Sequence, residues 1–199
     1  MIVFGKGLYS EVVVGYLVET LGHGARIQVV DDSDFGDIAW SNDRAFYVAI
    51  GYSNRSYPRR EVYERLLAMD LVPVTYVHKQ ASVMAQSMGR HNFVMEYNTI
   101  QPYCRVGDNN VFWCHNHIGH HGRIGSHNFF ASGITVSGSC EIGDHNFFGS
   151  GVTVGNEVKI GSGCIIGAGV LVMKDIPDNS LVVRRAEPVS KTPAERVRL

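Results

Sequence analysis

The second half of the chain carries an apolar residue at every sixth position. All fifteen members of this series, from Met88 to Val172, are apolar in a chain that is 45% hydrophobic overall. Glycine and asparagine recur at three times that spacing. These eighteen-residue series are Gly89, Gly107, Gly125, Gly143 and Gly161, and Asn92, Asn110, Asn128 and Asn146. Six-residue units grouped in threes predict a parallel β-helix of triangular cross-section, with about five coils over residues 81–176.

The repeat also predicts where side chains point. The apolar sixth residue and the residue four positions later face inward, which makes Cys104, Cys140 and Cys164 small interior fillers. The asparagine series should form an internal hydrogen-bonded ladder at a corner. Each aromatic pair, Phe129–Phe130 and Phe147–Phe148, should place one ring inside and one outside, where a neighbouring subunit would cover it.

The first half alternates strand and helix patterns. The predicted strands are MIVFG, RIQVVDD, AFYVAIG and VTYV, and the predicted helices are EVVVGYLVETLG and PRREVYERLLAMD. This alternation predicts an α/β domain with a small parallel sheet, Rossmann-like in kind, over residues 1–80. Residues 177–199 are expected to be a C-terminal tail that caps the β-helix.

Composition narrows the class of partner. Eighteen basic and nineteen acidic residues give a net charge of −1, which argues against nucleic acid or an anionic membrane as the main partner. No apolar stretch reaches the length of a membrane span, and no signal-peptide pattern is present. With four cysteines that lack CxxC spacing, we expect a cytoplasmic protein with reduced thiols.

Five of the nine histidines lie in HNHIGHHGRIGSH, at positions 115, 117, 120, 121 and 127. On an eighteen-residue coil they separate. His115, His121 and His127 share an outward register, in which His127 and His145 should stack above Asn109 as a solvated or interface column.

His120 differs because Gly138 lies one coil above it and Pro102 one coil below. A glycine there leaves open space and an accessible backbone N–H beside the imidazole. A base with a nearby amide donor is the minimum equipment for acyl transfer.

A zinc site is the alternative. The gamma-type carbonic anhydrases, which are left-handed β-helices, pair H-x4-H with a third histidine two coils earlier. His115 and His120 supply H-x4-H, but Lys79 lies two coils before His115; the pair His91 and His127 would need Ser132 as the next ligand. Neither set supplies a third histidine at the required position, so no metal is expected.

The chain resembles the NeuD/PglD-like sugar acyltransferases over nearly its whole length. The resemblance rests on GKGLYS, AIG and VHKQASV in the first half, and on IGHHGRIG and SGSCEIG in the second. It implies a left-handed β-helix in which His120 is the catalytic base and Gly138 the amide donor to acetyl-CoA. It also implies a homotrimer whose active site lies between adjacent β-helices.

The resemblance further implies that the first half binds a nucleotide-linked sugar. Gly5 and Gly7 would let the backbone approach the ligand, and Asp31 and Asp32 would hydrogen-bond its base or ribose. A structural turn and a polar strand end remain the alternatives for these residues. Asn54 and Arg55, after the third strand, are candidates for diphosphate or sugar contact.

Three departures from the family pattern concern the acyl end of the site. His121 stands where the family has an acidic residue, so the partner that orients His120 is unidentified. Phe129 replaces a second family histidine beside the acyl group. Arg184 and Arg185 replace the usual glycine of the tail, where they would meet CoA phosphates or lie in a solvated cap.

The expected function is acetyl-CoA-dependent N-acetylation of a nucleotide-linked amino sugar for a bacterial surface glycan such as the O-antigen of lipopolysaccharide. O-acylation of a hydroxyl and transfer of another acyl group remain open alternatives. From a different class, so does a non-catalytic sugar-nucleotide binding protein.

Overall fold

The computed structural model describes residues 1–35 and 44–185, apart from the side chain of Asn54. Its first part is a four-stranded parallel sheet, in which the strands lie side by side in the order Gln28–Val30, Ile2–Phe4, Ala45–Val48 and Val72–Pro73. The elements are β1 (Ile2–Phe4), α1 (Leu8–Leu21), β2 (Gln28–Val30), β3 (Ala45–Val48), α2 (Tyr57–Ala68) and β4 (Val72–Pro73), with short 3-10 helices at Asp32–Asp34 and Ser53–Ser56. Within the described ranges, neither helix has the length and apolarity needed to cross a membrane.

Alternate residues of this sheet pack against different partners. Ile2 and Phe4 join the cluster that contains α2, whereas Val3 joins α1 and the first rungs of the β-helix. The α1 helix ends at Gly22 as predicted, with a φ of 88° that favours glycine. The predicted strand VTYV is wrong: β4 ends at Pro73, and Tyr76–Val77 belongs to the β-helix.

After the first sheet, eighteen short strands of the described residues form three parallel sheets, or faces, and each face is named by its first residue. The Tyr76 face comprises Tyr76–Val77, Phe93–Val94, Val111–Phe112, Phe129–Phe130, Phe147–Phe148, Ile165–Ile166 and Leu181–Val182. The Ser82 face comprises Ser82–Val83, Thr99–Ile100, His117–Ile118, Thr135–Val136, Thr153–Val154 and Leu171–Val172. The Ser87 face comprises Ser87–Met88, Arg105–Val106, Arg123–Ile124, Glu141–Ile142 and Lys159–Ile160.

Three strands per coil give a parallel β-helix of about six coils rather than the five predicted. The extra coil has two sources. The rungs begin at Tyr76, and Leu181–Val182 pairs with Ile165–Ile166 as a last rung, although it lies in the segment expected to be a tail.

The six-residue register determines which side chains fill the interior of the β-helix. From Val94 to Val172 every sixth residue is buried, and Met88 is partly buried at the first coil. The glycine series is required by space: a Cβ on Gly107 would lie 2.8 Å from the backbone of Gly125. The asparagine ladder is confirmed, since Asn110 N–H donates to Asn92 Oδ1 at 2.9 Å and Asn128 N–H to Asn110 Oδ1 at 2.9 Å. Cys104, Cys140 and Cys164 fill the interior as predicted.

From His91 to Gly169 the second residue of each corner has a positive φ, and the histidines of the outward register occupy this position. Two corners matter for function. The open corner, between the Ser82 and Ser87 faces, contains residues 102–103, 120–121, 138–139 and 156–157. The covered corner, between the Ser87 and Tyr76 faces, contains residues 90–91, 108–109, 126–127 and 144–145, and the first part of the chain packs against it.

Candidate active site

His120 is exposed at the open corner. The preceding strand buries Ile118, and Gly119 fits only as glycine because a Cβ there would lie 2.6 Å from Gly138 N. The chain then turns outward, and the His120 backbone N–H donates to Gln101 Oε1 at 2.9 Å. The coil therefore places the imidazole on the outside of the prism.

Gly138 lies against the His120 ring, as the eighteen-residue spacing predicts. A Cβ added to Gly138 would come within 2.7 Å of His120 Cε1 and 2.9 Å of His120 Nε2. At most other tight glycines of the repeat, the neighbour that excludes a side chain includes backbone atoms. Here the three nearest atoms all belong to the His120 imidazole, so Gly138 makes room for the proposed base.

The Gly138 amide is not open, contrary to the expectation from the sequence. Its N–H donates to Asn156 Oδ1 at 3.0 Å. The physical reason is general to this fold: a polar side chain one coil on accepts a corner N–H, as when Ser126 N–H donates to Asp144 Oδ1. The sequence signal for Asn156 was available, since it lies eighteen residues after Gly138.

His121 is the polar neighbour of the His120 ring. The two Nδ1 atoms lie 3.0 Å apart, and the rings are nearly perpendicular at 86°. His121 is also stacked on Tyr103, with ring centroids 4.7 Å apart. The sequence left the partner of His120 unidentified, and the structure places His121 at that position.

The covered corner holds a different histidine column. Val48 N–H donates to His91 Nε2 at 2.8 Å, so His91 carries its proton on Nδ1, which donates to Asn109 Oδ1 at 2.9 Å. The Asn109 amide then donates to His127 Nδ1 at 2.9 Å. His127 stacks on His145 at 4.7 Å, which confirms the predicted column.

Burial sets the charge of this column. Desolvation lowers the pKa of His91 to about 3 and that of His127 to about 3, and it also lowers the pKa of His145. The expectation of an outward-facing column is corrected in one respect: the chain's own first part covers it. These histidines are neutral structural groups at physiological pH.

Arg59 of α2 connects the two parts of the chain. Its guanidinium is fully buried and donates to Asn109 Oδ1, to the carbonyl oxygens of Asn109, His127 and Asn128, and to the carbonyl oxygens after β3. The sequence did not single out Arg59, because it stands beside Arg60, which forms an exposed ion pair with Glu64 on the same helix. Adjacent arginines of a charged helix look alike in the sequence.

The residues predicted to bind the nucleotide-linked sugar gather at the carboxyl edge of the sheet. Gly5 has a φ of 131°, and a Cβ there would lie 2.6 Å from Ala49 O, so packing already requires a glycine. Gly7 is the N-cap of α1 and has open space beside it. Asp31 accepts hydrogen bonds from Ser33 and lies 3.5 Å from Lys6 Nζ.

The other residues predicted to contact the nucleotide-linked sugar do not point to one place. Asp32 forms an ion pair with Arg65 at 2.7 Å. Arg55 donates to Asn179 Oδ1 at 2.9 Å, so its side chain points toward the last coil of the β-helix. The side chain of Asn54 lies outside the described part of the structure.

Within one chain, the residues predicted to contact the acyl group and CoA do not lie together. Phe129 is buried on the Tyr76 face, where its ring contacts Tyr9, Tyr52 and Trp113. The outer rings of both aromatic pairs are therefore covered by the same chain, since Tyr52 also contacts Phe147. Arg184 and Arg185 follow the last rung and are exposed.

Within the described ranges, no three histidine, cysteine or carboxylate side chains are placed to hold a metal ion. The open corner instead offers an exposed imidazole, a ring nitrogen that contacts it, and a backbone amide on the next coil. The imidazole can accept a proton, and the amide can stabilise a developing oxyanion once it has left Asn156 Oδ1.

Comparison with known proteins supports this fold. Residues 139–174 match the family model of the bacterial transferase hexapeptide (six repeats). No curated protein sequence matches the chain. GDP-perosamine N-acetyltransferase (PerB) of Caulobacter crescentus, solved with CoA and GDP-perosamine, superposes with a TM-score of 0.81 at 23% identity over 90% of this chain and 91% of that one. The chain has the fold of that enzyme.

Two further structures agree. The acetyltransferase domain of PglB from Neisseria gonorrhoeae, solved with acetyl coenzyme A, has a TM-score of 0.81 at 23% identity over 94% of this chain and 98% of that one. WeeI of Acinetobacter baumannii has a TM-score of 0.80 at 18% identity over 92% and 95% of the two chains. The predicted resemblance to hexapeptide-repeat sugar acyltransferases is thereby confirmed at the level of the fold.

Proposed function

We propose that this protein is an acetyl-CoA-dependent N-acetyltransferase of a nucleotide-linked amino sugar, acting in the cytoplasm in the synthesis of a bacterial surface glycan. The observation that carries the proposal is the exposed His120 ring lying directly against Gly138. The fold adds support, because the PerB structure with this fold contains CoA and GDP-perosamine. An amine acceptor is favoured over a hydroxyl because that structural neighbour is a perosamine N-acetyltransferase.

The proposed reaction uses the groups of the open corner. The sugar amine attacks the thioester carbonyl carbon, and the Gly138 N–H stabilises the oxyanion once it has left Asn156 Oδ1. His120 Nε2 accepts the proton of the amine. When the intermediate collapses, the C–S bond breaks, the amide remains on the sugar, and the proton passes to the CoA thiolate.

The two substrate sites of this proposal do not meet in one chain. The first part packs on the Tyr76 face and the covered corner, as the contacts of Arg59 and Tyr52 show. In a three-sided prism, the open corner lies across from the Tyr76 face. A sugar held by Asp31 and Asp32 would reach His120 only from another copy, so we propose a homotrimer with active sites between neighbouring chains.

The remaining assignments extend this site. Gly5 and Gly7 would approach the nucleotide, and Asn54 and Arg55 would contact its diphosphate or sugar, which requires Arg55 to leave Asn179. Arg184 and Arg185 would meet CoA phosphates. The predicted place of Phe129 beside the acyl group is not kept, because its ring is buried under Tyr9 and Tyr52 of the same chain. A trimer supplies these residues from more than one chain.

Acetyl-CoA consumption tests the proposal, with thiol release followed across a panel of UDP-, GDP- and dTDP-linked sugars bearing either an amine or only hydroxyls. We expect turnover with one amino sugar and a loss of roughly 1,000-fold in His120→Ala. His117→Ala, three residues earlier on the Ser82 face, is the control and should retain activity. Near-normal turnover by His120→Ala would refute the assignment, and turnover of the hydroxyl sugars alone would identify an O-acyltransferase.

A further inference from the structure

The close approach of His120 and His121 determines where the protons lie. Two Nδ1 atoms 3.0 Å apart form a hydrogen bond only when one carries a proton and the other presents a lone pair. A base that accepts a proton at Nε2 must hold its own proton at Nδ1. His121 Nδ1 must then be the acceptor, with the proton of His121 on Nε2.

We propose that His121 is the positioning residue of the active site, a neutral imidazole that fixes the tautomer and the orientation of His120. This inference rests on the proposed function. His121 itself is held in three ways: its φ of 58° fixes the corner, its backbone N–H donates to Pro102 O at 3.2 Å, and its ring stacks on Tyr103. The acceptor nitrogen is therefore presented by a side chain with restricted freedom.

The geometry serves the reaction because the free edge of His120 faces Gly138. A Cβ built on Gly138 would lie 2.7 Å from His120 Cε1, 2.9 Å from Nε2 and 3.2 Å from Nδ1, so both ring nitrogens are near Gly138. Because Nδ1 contacts His121, Nε2 is the nitrogen left for the substrate on that side. A wrong tautomer would place an N–H there and leave no lone pair for the incoming amine. His121 thus acts through His120 and does not itself need to touch the substrate.

Two substitutions of His121 distinguish the effect of its acceptor nitrogen from the effect of its stacked ring. His121→Phe keeps a ring that can stack on Tyr103 but removes the acceptor. His121→Asn tolerates the positive φ and supplies an amide oxygen that can accept the Nδ1 proton. His115→Phe is the control, because His115 has the same corner register, a φ of 63° and a stacked tyrosine, Tyr97, at 4.8 Å.

We expect His121→Phe to lower kcat roughly 10- to 100-fold, with the KM for acetyl-CoA within about twofold of the wild type. His121→Asn should recover kcat to within a few-fold, and His115→Phe should leave it unchanged. A wild-type kcat in His121→Phe, or an equal loss in His121→Asn and His121→Phe, would overturn the proposal.

A second readout does not depend on turnover. Nitrogen-15 spectra of the histidine rings at about pH 8, above the usual pKa of histidine, report the tautomer of each ring. We expect the Nδ1–H form of His120 in the wild type and a shift toward the Nε2–H form in His121→Phe. An Nε2–H His120 in the wild type would refute the positioning role; the expected spectra from an enzyme that turns over no sugar of the panel would instead refute the proposed function.

Discussion

The open corner and the covered corner carry the same residue type at the same register, yet their histidines have different surroundings. His121 and His127 both occupy the second corner position with a positive φ. His127 accepts a hydrogen bond from Asn109 beneath the first part of the chain, and burial lowers its pKa to about 3. His121 is exposed and contacts the ring of His120.

Two differences account for the contrast. The covered corner receives Arg59 and Tyr57 from the first part, whereas the described part of that half packs away from the open corner. The open corner has glycine at position 138, so a ring can lie where a side chain would otherwise stand. His121 and His127 share a register, so register alone does not show which of the two corners is open. The candidate base, His120, is set apart by the glycine one coil away and by a corner that the described part of the chain leaves uncovered.

Replacing Arg59 should expose the structural nature of the covered corner. Arg59→Met removes the buried donor to several carbonyl oxygens, and we expect a loss of about 3 kcal/mol in the free energy of unfolding. Arg60→Met, on the exposed side of the same helix, is the control and should change stability by no more than about 0.5 kcal/mol. Chemical denaturation measures both, and equal stabilities of the two variants would contradict the role given to Arg59.

Gly138→Ala should damage activity more than stability. The three atoms nearest to its Cβ would all belong to the His120 ring, which is exposed and can move. We therefore expect kcat/KM to fall roughly 30- to 100-fold while the free energy of unfolding changes by about 1 kcal/mol or less. Gly125→Ala is the matched contrast, because its Cβ would lie 2.8 Å from the backbone of Gly143 and should destabilise the β-helix. A Gly138→Ala enzyme of normal activity would show that the ring position is not needed.

These two corners also show how far the sequence can predict the structure. The six-residue period was sufficient for the faces, the asparagine ladder and the contact between His120 and Gly138, since each follows from register. Register contains no information on which corner the first part covers, because that depends on contacts such as Arg59 with His127 O. The contact between His121 and His120 could not be predicted, because it depends on how the two rings are oriented. The contact between Asn156 and Gly138 could have been predicted, because Asn156 lies one coil after Gly138.

Acidification should weaken the fold through the covered corner. The pKa of His91 is lowered to about 3 by burial, against about 6.5 in an unfolded chain, so the unfolded state takes up the proton first. The contribution of His91 is complete above about pH 6.5 and declines as the pH falls toward about 3. Between about pH 7 and about pH 5.5, His91 alone should lower the unfolding free energy by about 1 kcal/mol.

Denaturation curves at several pH values measure this effect. His91→Asn, which tolerates the corner φ, should reduce the pH dependence by that amount even though its stability at neutral pH is lower. Ser139→Asn, at the same register of the open corner, should leave the pH dependence as in the wild type. An unaltered slope in His91→Asn would show that this ring is not the group that titrates.

Asn156 provides the finest test of the difference between the corners. At the covered corner, the bond from Ser126 N–H to Asp144 Oδ1 serves structure only, whereas the equivalent bond from Gly138 N–H to Asn156 Oδ1 occupies the donor that the proposed reaction uses. Asn156→Ala should therefore raise kcat/KM for acetyl-CoA by up to about fivefold, since one neutral hydrogen bond of about 1 kcal/mol no longer competes with the thioester oxygen. Asp144→Ala should give no such gain. A fall in kcat/KM with Asn156→Ala would mean that this side chain helps to bind acetyl-CoA, and the amide of Gly138 would then not be the limiting donor.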